Sequence, residues 1–282
     1  MLLIDKPAGV SSHDVVAAVR RAFGGKRAAP RVGHAGTLDP FATGLLVLLV
    51  GRATRLLPFL DGDPKVYDAT IRFGAETDTD DSTGTVVRTA ALPTDDAVHR
   101  AIAGLTGEVD QVPPAYSAKQ VGGRRAYAAA RRGQPLALAD TRVVVHHWVV
   151  RARRDADLDV RIACGAGTYV RALARDLGRA SESAAHLSAL RRVRSGPFDV
   201  AAAADLDALR AGRATVHAPR AAVPSLPVVQ LDANAAQRIR RGQDIPRSTA
   251  EPRAALVNEQ GELVAIAEPR DGRWHPCVVL AE

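Results

Sequence analysis

Cysteine and long apolar runs are scarce in this chain of 282 residues, and their scarcity excludes several classes of protein. The two cysteines, Cys164 and Cys277, lie far apart without metal-ligand spacing, which argues against a disulfide framework and against a zinc site. No segment approaches the roughly 18 apolar residues of a membrane span, and charge at Asp5 and Lys6 breaks the first apolar run. We therefore expect a cytoplasmic protein that is neither exported nor anchored in a membrane.

Lysine is also scarce, and arginine takes its place. Only four of the 38 Lys and Arg residues are lysine, and the chain has a formal charge of +7 and an isoelectric point near 10.0. A basic chain favours a polyanionic partner, and forked guanidinium groups suit phosphate and base stacking, as in RNA. A coding sequence rich in G and C would enrich arginine and alanine in the same way, so composition leaves both explanations open.

Hydrophobic patterns predict a mixture of strands and helices. Alternating or β-branched residues predict strands over residues 66–73, 141–150, 158–163 and 263–267, and the apolar run 45–50 has the length of a buried element. Capping residues at Ser12 and Thr94 predict helices after them, and 169–178 is typical of a strand-to-helix passage. Since there is no regular βαβ rhythm, the predicted fold class is α+β with a mixed, mainly antiparallel sheet.

A prolyl stretch, Pro224-Ser225-Leu226-Pro227, predicts a domain boundary. After it the pattern predicts one short helix over 235–241, capped by Gly242, and short strands separated by turns at 259–261 and 270–272. This is the outline of a small β-barrel. We therefore predict a main domain of residues 1–223 and a C-terminal module of residues 224–282.

The segment 33–44, Gly-His-Ala-Gly-Thr-Leu-Asp-Pro-Phe-Ala-Thr-Gly, is the most informative part of the chain. Pro40 disfavours the helical region for Asp39, and glycines at its ends allow close backbone approach. The apolar run that follows would anchor this loop in a core, so that the carboxylate is held in one direction. Taken alone, the same residues also fit an ordinary turn in which Asp39 bonds nearby amides.

Four further segments combine polar residues with glycines in a way that packing does not require. They are 5–12, Tyr67 within 65–70, 116–119 with 123–127, and 165–173. Together with the Asp39 loop, and in the same order and spacing over roughly residues 1–200, these segments resemble the TruB family of tRNA pseudouridine synthases. Members of that family isomerise uridine 55 in the T arm of tRNA.

The resemblance implies that Asp39 is a catalytic aspartate acting on a uridine flipped out of the T loop, with no metal, nucleotide or redox cofactor. A carboxylate suffices for the chemistry, because it can attack C1′ of the ribose or add to C6 of the ring, and the sequence leaves both routes open. An ionised aspartate is favoured by a nearby cation. The resemblance implies that Arg171 is this partner, on one face of an extended segment with Tyr169.

The same resemblance assigns roles to further residues. Tyr67 would stack on the flipped uracil, His34 would help to hold the extruded conformation, and Leu190 would form an apolar wall of the uracil pocket. Each has an ordinary alternative: Tyr67 and Tyr169 as packed strand residues, His34 as a solvated loop residue, and Leu190 as core.

RNA contacts are expected from basic residues outside this pocket. Lys6 would support the active-site loop or meet a phosphate, and Arg124, Arg125, Arg131 and Arg132 lie where the family carries an insertion, here about 113–143, that grips the T arm. A solvated helix face is the alternative for these arginines. The C-terminal module resembles a PUA-type RNA-binding barrel in outline.

Two other functions are alternatives to this interpretation. One is an RNA chaperone that folds tRNA, with the chemistry secondary; the complete set of Asp39, Tyr67, Tyr169 and Arg171 argues against lost chemistry. The other is modification of an H/ACA-guided or ribosomal substrate, which a compact chain with its own insertion disfavours. The predicted partner is the T arm of tRNA, bound by a monomer without a membrane or a metal.

Overall fold

The computed structural model describes residues 1–24, 29–117, 119–130, 132–134 and 136–280. Its strands are β1 (Leu2–Lys6), β2 (Val32–His34), β3 (Thr43–Val50), β4 (Lys65–Phe73), β5 (Ala75–Thr77), β6 (Val86–Thr89), β7 (Gly107–Gln111), β8 (Gln120–Val121), β9 (Arg124–Arg125), β10 (Thr141–Arg154), β11 (Asp157–Cys164), β12 (Ala185–Ser195), β13 (Phe198–Asp199), β14 (Val228–Gln230), β15 (Ile245–Pro246), β16 (Ala254–Val257), β17 (Leu263–Arg270) and β18 (Arg273–Val279).

The α-helices are α1 (Ser12–Ala22), α2 (Asp95–Gly104), α3 (Ala126–Ala130), α4 (Val170–Ala180), α5 (Leu206–Arg210) and α6 (Ala233–Arg240), with 3₁₀ helices at Gly51–Phe59, Val200–Ala202 and Pro219–Ala222. The backbone divides into two compact units, one of residues 1–39, 45–62 and 197–282 and the other of residues 40–44 and 63–196. No helix of the described ranges is long and apolar enough to cross a membrane.

In the first unit, β3 is buried on both faces, which explains its continuous apolar sequence. Leu45, Val47 and Leu49 contribute to one core cluster, and Leu46 and Leu48 contribute to another. The second cluster also contains the apolar face of α1. Because β3 is fixed in this way, the loop that connects β2 to β3 ends on a rigid strand.

The C-terminal part of the first unit is a five-stranded sheet in the order β14-β16-β17-β18-β15. The closed barrel predicted for residues 224–282 is not found among the described residues, since the sheet is open at β14 and β15. These strands are only three and two residues long, too short to complete a barrel wall. Packing also continues across the predicted boundary at 224, because β16, β17 and β18 share a core cluster with β1 and β3.

The second unit is built on the antiparallel strands β12, β4, β11, β10 and β7, in that order. β12 also pairs in parallel with the first two residues of β3, through Arg191↔Thr43 and Arg192↔Gly44. Helix α4 contacts β12. The predicted α+β class with a mixed, mainly antiparallel sheet is confirmed.

Candidate active site

The loop that carries Asp39 connects β2 to β3 in the first unit. β2 pairs antiparallel with β3 as far as His34↔Leu48, and the Ala35 N–H then donates to the Val47 carbonyl at 2.9 Å. Leu38 is buried, and Asp39, which follows it, is half-buried. The loop therefore leaves the partly buried strand β2, enters the buried strand β3, and brings a carboxylate toward the surface between them.

Helix α1 holds this loop through one side chain. The Ser12 hydroxyl accepts from the Leu38 N–H at 2.9 Å and donates to the Leu38 carbonyl at 3.0 Å. Ser11 is the N-cap of α1 and forms a capping box with Asp14. The predicted cap at Ser12 is therefore one residue late, and Ser12, in the first turn of the helix, is left to bind the loop.

Lys6 is fully buried at the end of β1, and its ammonium donates to the carbonyls of Pro7 at 2.9 Å and Val10 at 2.7 Å. These bonds fix the turn that leads into α1. Support of the active-site loop, the first role predicted for Lys6, stays a prediction, since these contacts are to the turn before α1. Its contact with a phosphate stays a prediction.

His34, the last residue of β2, is half-buried. Its ring meets the His13 ring edge to face, with centroids 6.1 Å apart and an interplanar angle of 77°. The histidine predicted to lie beside the aspartate loop is thus packed against α1 at the start of that loop, and its action on RNA remains a prediction.

Two of the predicted pocket residues share one face of the second unit's sheet. Tyr67 and Ala69 are buried on the same side of β4, and Leu190 on β12 lies directly opposite Ala69. Opposed residues of an antiparallel pair point to the same face. Tyr67 and Leu190 are each 7% exposed, so both side chains are largely shielded from solvent.

The extended segment predicted for Tyr169 and Arg171 is instead the start of helix α4. Tyr169 is the N-cap residue with extended backbone, and Arg171 lies in the first turn. The prediction that the two side chains share one face of a strand is therefore wrong. The Gln111 side chain binds Tyr169, accepting from its N–H at 2.9 Å and donating to its carbonyl at 3.1 Å.

The Arg171 guanidinium is buried and well bonded within the second unit. It donates from Nη1 to the Thr79 carbonyl at 2.8 Å and from Nη2 to the Tyr116 carbonyl at 2.9 Å, and Asp81 Oδ2 lies 3.6 Å from Nη1. Asp81 was not among the predicted site residues. Its other oxygen, Oδ1, accepts from the Thr79 hydroxyl at 2.8 Å and from the Thr83 hydroxyl at 2.6 Å, which fixes the carboxylate.

A second buried ion pair lies one helical turn further along α4. Arg175 Nη1 is 2.9 Å from Asp80 Oδ2, and Arg175 Nη2 donates to the Val112 carbonyl at 2.9 Å. Burial raises the pKa of Asp80 to about 6 and outweighs the opposing attraction of Arg175 and Arg171. Arg171 and Arg175 thus bind α4 to the turn around Asp80 and Asp81 from two successive turns of the helix.

The arginines predicted to bind RNA are only partly described. Arg124 is exposed on β9, which pairs with β8, and Arg132 is exposed after α3. Arg125 lies in β9, but its side chain, like all of Arg131, is outside the described part of the chain. The two exposed guanidinium groups are accessible to a polyanion.

The predicted site residues therefore occur in both units. Lys6, His34 and Asp39 lie in the first unit, and Tyr67, Tyr169, Arg171 and Leu190 lie in the second. Within the described residues, no group of three or more His, Cys, Asp or Glu side chains could hold a metal ion.

Comparisons with known proteins extend over the whole chain. Residues 20–170 match the family model for the N-terminal domain of TruB family pseudouridylate synthases, and residues 171–222 match the model for the C-terminal domain of tRNA pseudouridylate synthase B. A tRNA pseudouridine synthase B of Thermobifida fusca is 45% identical over 291 residues, covering 100% of this chain and 98% of the relative. One of Cutibacterium acnes is 46% identical, covering 99% and 97%.

Solved structures of lower identity have a similar fold. An H/ACA RNP bound to a substrate RNA containing 2′-deoxyuridine includes a chain with a TM-score of 0.71 and 21% identity, covering 100% of this chain and 84% of that one. A chain of a Cbf5-Nop10-Gar1 complex has a TM-score of 0.70 and 23% identity, with 100% and 83% covered. At these identities the likeness concerns the fold alone.

Proposed function

Because the chain belongs to the TruB family of pseudouridine synthases, and is therefore a tRNA pseudouridine synthase, we propose that it isomerises uridine 55 of the T arm with Asp39 as the catalytic carboxylate. One observation carries the assignment to Asp39. Its half-exposed carboxylate follows a buried residue, Leu38, whose main chain is held by Ser12 on a capped helix. A carboxylate held in this way differs from a solvated turn aspartate, because its backbone is fixed before substrate binds.

The proposed reaction needs no oxidant or reductant. The N1–C1′ bond breaks, the uracil turns within the site, and a C5–C1′ bond forms; C5 loses a proton and N1 gains one, so atoms and electrons balance. Ionised Asp39 acts as the nucleophile, either displacing N1 at C1′ or adding to C6, and in either route its bond to the nucleoside breaks again before the product is released.

The uridine is proposed to leave the T loop before it reacts, since its C1′ and C5 are not accessible in a stacked nucleotide. Tyr67 then supplies an aromatic face for the base, Leu190 an apolar wall, and His34 occupies the space that the base vacates. On the family resemblance, Arg171 is the cation that favours the ionised form of Asp39, with Tyr169 next to it. The buried bonds of Arg171 to the Thr79 and Tyr116 carbonyls hold its guanidinium in one position.

The rest of the tRNA is proposed to bind basic surfaces. The insertion over about 113–143, with Arg124 and Arg132 exposed, is proposed to contact T-arm phosphates. Residues 1–223 are proposed to act as the catalytic domain and residues 224–282 as a PUA-like RNA-binding module. A monomer working in the cytoplasm suffices for this mode of binding.

The test is incubation of the purified protein with an unmodified tRNA transcript, followed by mapping of pseudouridine by carbodiimide-dependent primer extension. The matched control is a transcript with cytidine in place of uridine 55. We expect one product, at position 55, and none in the control transcript. Modification at another position, or none at all, contradicts the proposed substrate.

A further inference from the structure

We propose that Ser12 is a positioning residue for Asp39, acting through the main chain of Leu38. The inference rests on the proposed function, because it concerns the carboxylate that we assign to the chemistry. It adds a residue from the first turn of α1, 26 positions before the one it binds, to the groups that set the reaction geometry.

The Ser12 hydroxyl satisfies both main-chain polar groups of one residue. It accepts from the Leu38 N–H at 2.9 Å and donates to the Leu38 carbonyl at 3.0 Å, and it is 1% exposed. Leu38 is itself 3% exposed, so water does not replace these bonds in the folded protein. Loss of the hydroxyl leaves the buried N–H and carbonyl of Leu38 without partners. Because unpaired buried groups are costly, we expect the loop to shift so that they find other partners.

Movement of Leu38 would be transmitted directly to Asp39. The Leu38 carbonyl belongs to the peptide group that also contains the Asp39 nitrogen, and this group is planar. A bond that fixes the carbonyl therefore fixes the orientation in which the Asp39 backbone begins. Pro40 restricts the backbone of Asp39 from the other side. Ser12, through Leu38, and Pro40 therefore restrict the backbone of Asp39 from its two sides.

Ser12 is well supported as an anchor. Ser11 caps α1, accepting from the Asp14 N–H at 3.1 Å, and the buried Lys6 ammonium fixes the preceding turn at the carbonyls of Pro7 and Val10. The two adjacent serines have separate contacts, since Ser11 binds its own helix and Ser12 binds the Asp39 loop. This separation provides a matched pair of variants.

The experiment compares Ser12→Ala with Ser11→Ala, and measures single-turnover pseudouridine formation, tRNA affinity and Tm for each. Ser11→Ala removes the helix cap, which has a direct effect on stability, but it leaves the Leu38 bonds in place. We expect Ser12→Ala to lower the single-turnover rate about 10- to 100-fold, the scale of a small misplacement of a reacting group, with tRNA affinity within about twofold. We expect the rate of Ser11→Ala to stay within about twofold of wild type.

A Ser12→Ala rate within about threefold of wild type, or equal losses of rate in both variants, overturns the proposal. If Ser12→Ala does not fold, the isosteric pair Ser12→Thr and Ser12→Val decides, because the two differ only in the hydroxyl. The threonine variant must then be the faster of the two.

The same assays separate this inference from the function it rests on. If wild type forms no pseudouridine at position 55, or Asp39→Asn retains its rate, the proposed function fails. If wild type is active, Asp39→Asn is inactive and Ser12→Ala is fully active, only the role of Ser12 fails.

Discussion

Two main-chain oxygens, on Thr79 and Tyr116, accept hydrogen bonds from separate nitrogens of Arg171, and Asp81 lies 3.6 Å from the guanidinium. The planar fork can reach both carbonyls at once from a buried position. A lysine ammonium is a single point on a flexible stem and cannot reproduce this arrangement. The contacts thus require arginine specifically at this position.

We therefore predict that Arg171→Lys lowers the rate of pseudouridine formation at least about tenfold and the free energy of unfolding by about 1–3 kcal/mol, because a buried carbonyl loses its donor. Single-turnover kinetics and urea unfolding measure the two effects. Arg179→Lys, on the same helix, is the control, since the Arg179 side chain is 57% exposed and pairs with Glu76. Equal rates for the two variants contradict the role of Arg171.

At this scale, the sequence predicts Asp39 and misses Asp81 for a physical reason. Asp39 is singled out because the segment 33–44 that contains it is one of the five motifs that carry the family resemblance. Asp81 lies in a polar turn with Asp78 and Asp80, and local sequence does not distinguish the three. Only the packing of α4, far along the chain, selects Asp81 as the carboxylate near Arg171.

At the level of elements, β12 and the start of β3 approach each other more closely than a side chain allows. Gly44 has a φ of +103°, and a Cβ added there would lie 2.2 Å from the Arg192 carbonyl oxygen. The close approach occurs at a parallel pair of strands, where neither backbone can withdraw without losing the pairing.

Gly44→Ala is accordingly predicted to lower the free energy of unfolding by more than about 2 kcal/mol, through both backbone strain and the clash. Thermal and urea unfolding provide the measurement. Gly104→Ala is the control, because Gly104 ends helix α2 and has no atom within 4 Å of an added Cβ. We expect the free energy of unfolding of Gly104→Ala to be unchanged or slightly raised. A comparable loss of this free energy in both variants contradicts a specific close approach at Gly44.

The contact between α4 and the turn at Asp80 predicts a pH dependence. The pKa of Asp80 is raised to about 6 by burial, whereas an unfolded aspartate titrates near 4. The folded state therefore binds this proton more tightly, and the resulting stability is present below about pH 4 and lost as the pH rises through about 6.

Asp80→Asn does not titrate, so the free energy of unfolding of this variant relative to wild type should rise by up to about 3 kcal/mol between pH 4 and pH 7. Unfolding curves at several pH values test this. Asp78→Asn, in the exposed part of the same turn, is the control and should show no comparable rise. If the difference in the free energy of unfolding between Asp80→Asn and wild type is the same at every pH, the raised pKa of Asp80 is refuted.

Strands and helices are predictable where the pattern of apolar residues within the segment itself determines them. The strands 66–73 and 158–163 were predicted within one residue of β4 and β11, and Thr94 is the N-cap of α2 as predicted. The open C-terminal sheet was not predictable, because closure depends on whether the outer edges of β14 and β15 pair with each other. Local sequence carries no information on such distant pairing.

For the whole molecule, the positive charge has a direct consequence for tRNA affinity. Bound phosphates release counterions, so each phosphate contact contributes to the salt dependence of binding. We predict that Arg124→Ala combined with Arg132→Ala weakens tRNA binding and reduces the slope of log K against log salt by about 1–2. Arg210→Ala is the control, since Arg210 pairs with Asp207 outside the insertion. An unchanged slope in the double variant contradicts the proposed grip on the T arm.

The composition of the whole chain is a coarse indication of its partner. A basic, arginine-rich chain suits RNA, which agrees with the proposed tRNA substrate and with relatives that are named tRNA pseudouridine synthase B. Composition alone was not decisive, because a base-composition bias in the gene produces the same excess of arginine. The order of five motifs supplied what composition could not.

The most direct measurement of the central claim is single-turnover formation of pseudouridine at position 55 by Asp39→Asn, with tRNA affinity measured on the same preparation. Asparagine keeps the size of the side chain but cannot act as an ionised nucleophile. We predict that the rate falls at least about a thousandfold, the scale on which loss of a nucleophile acts, while affinity changes by less than about threefold. A rate within about tenfold of wild type would show that Asp39 is not the catalytic carboxylate.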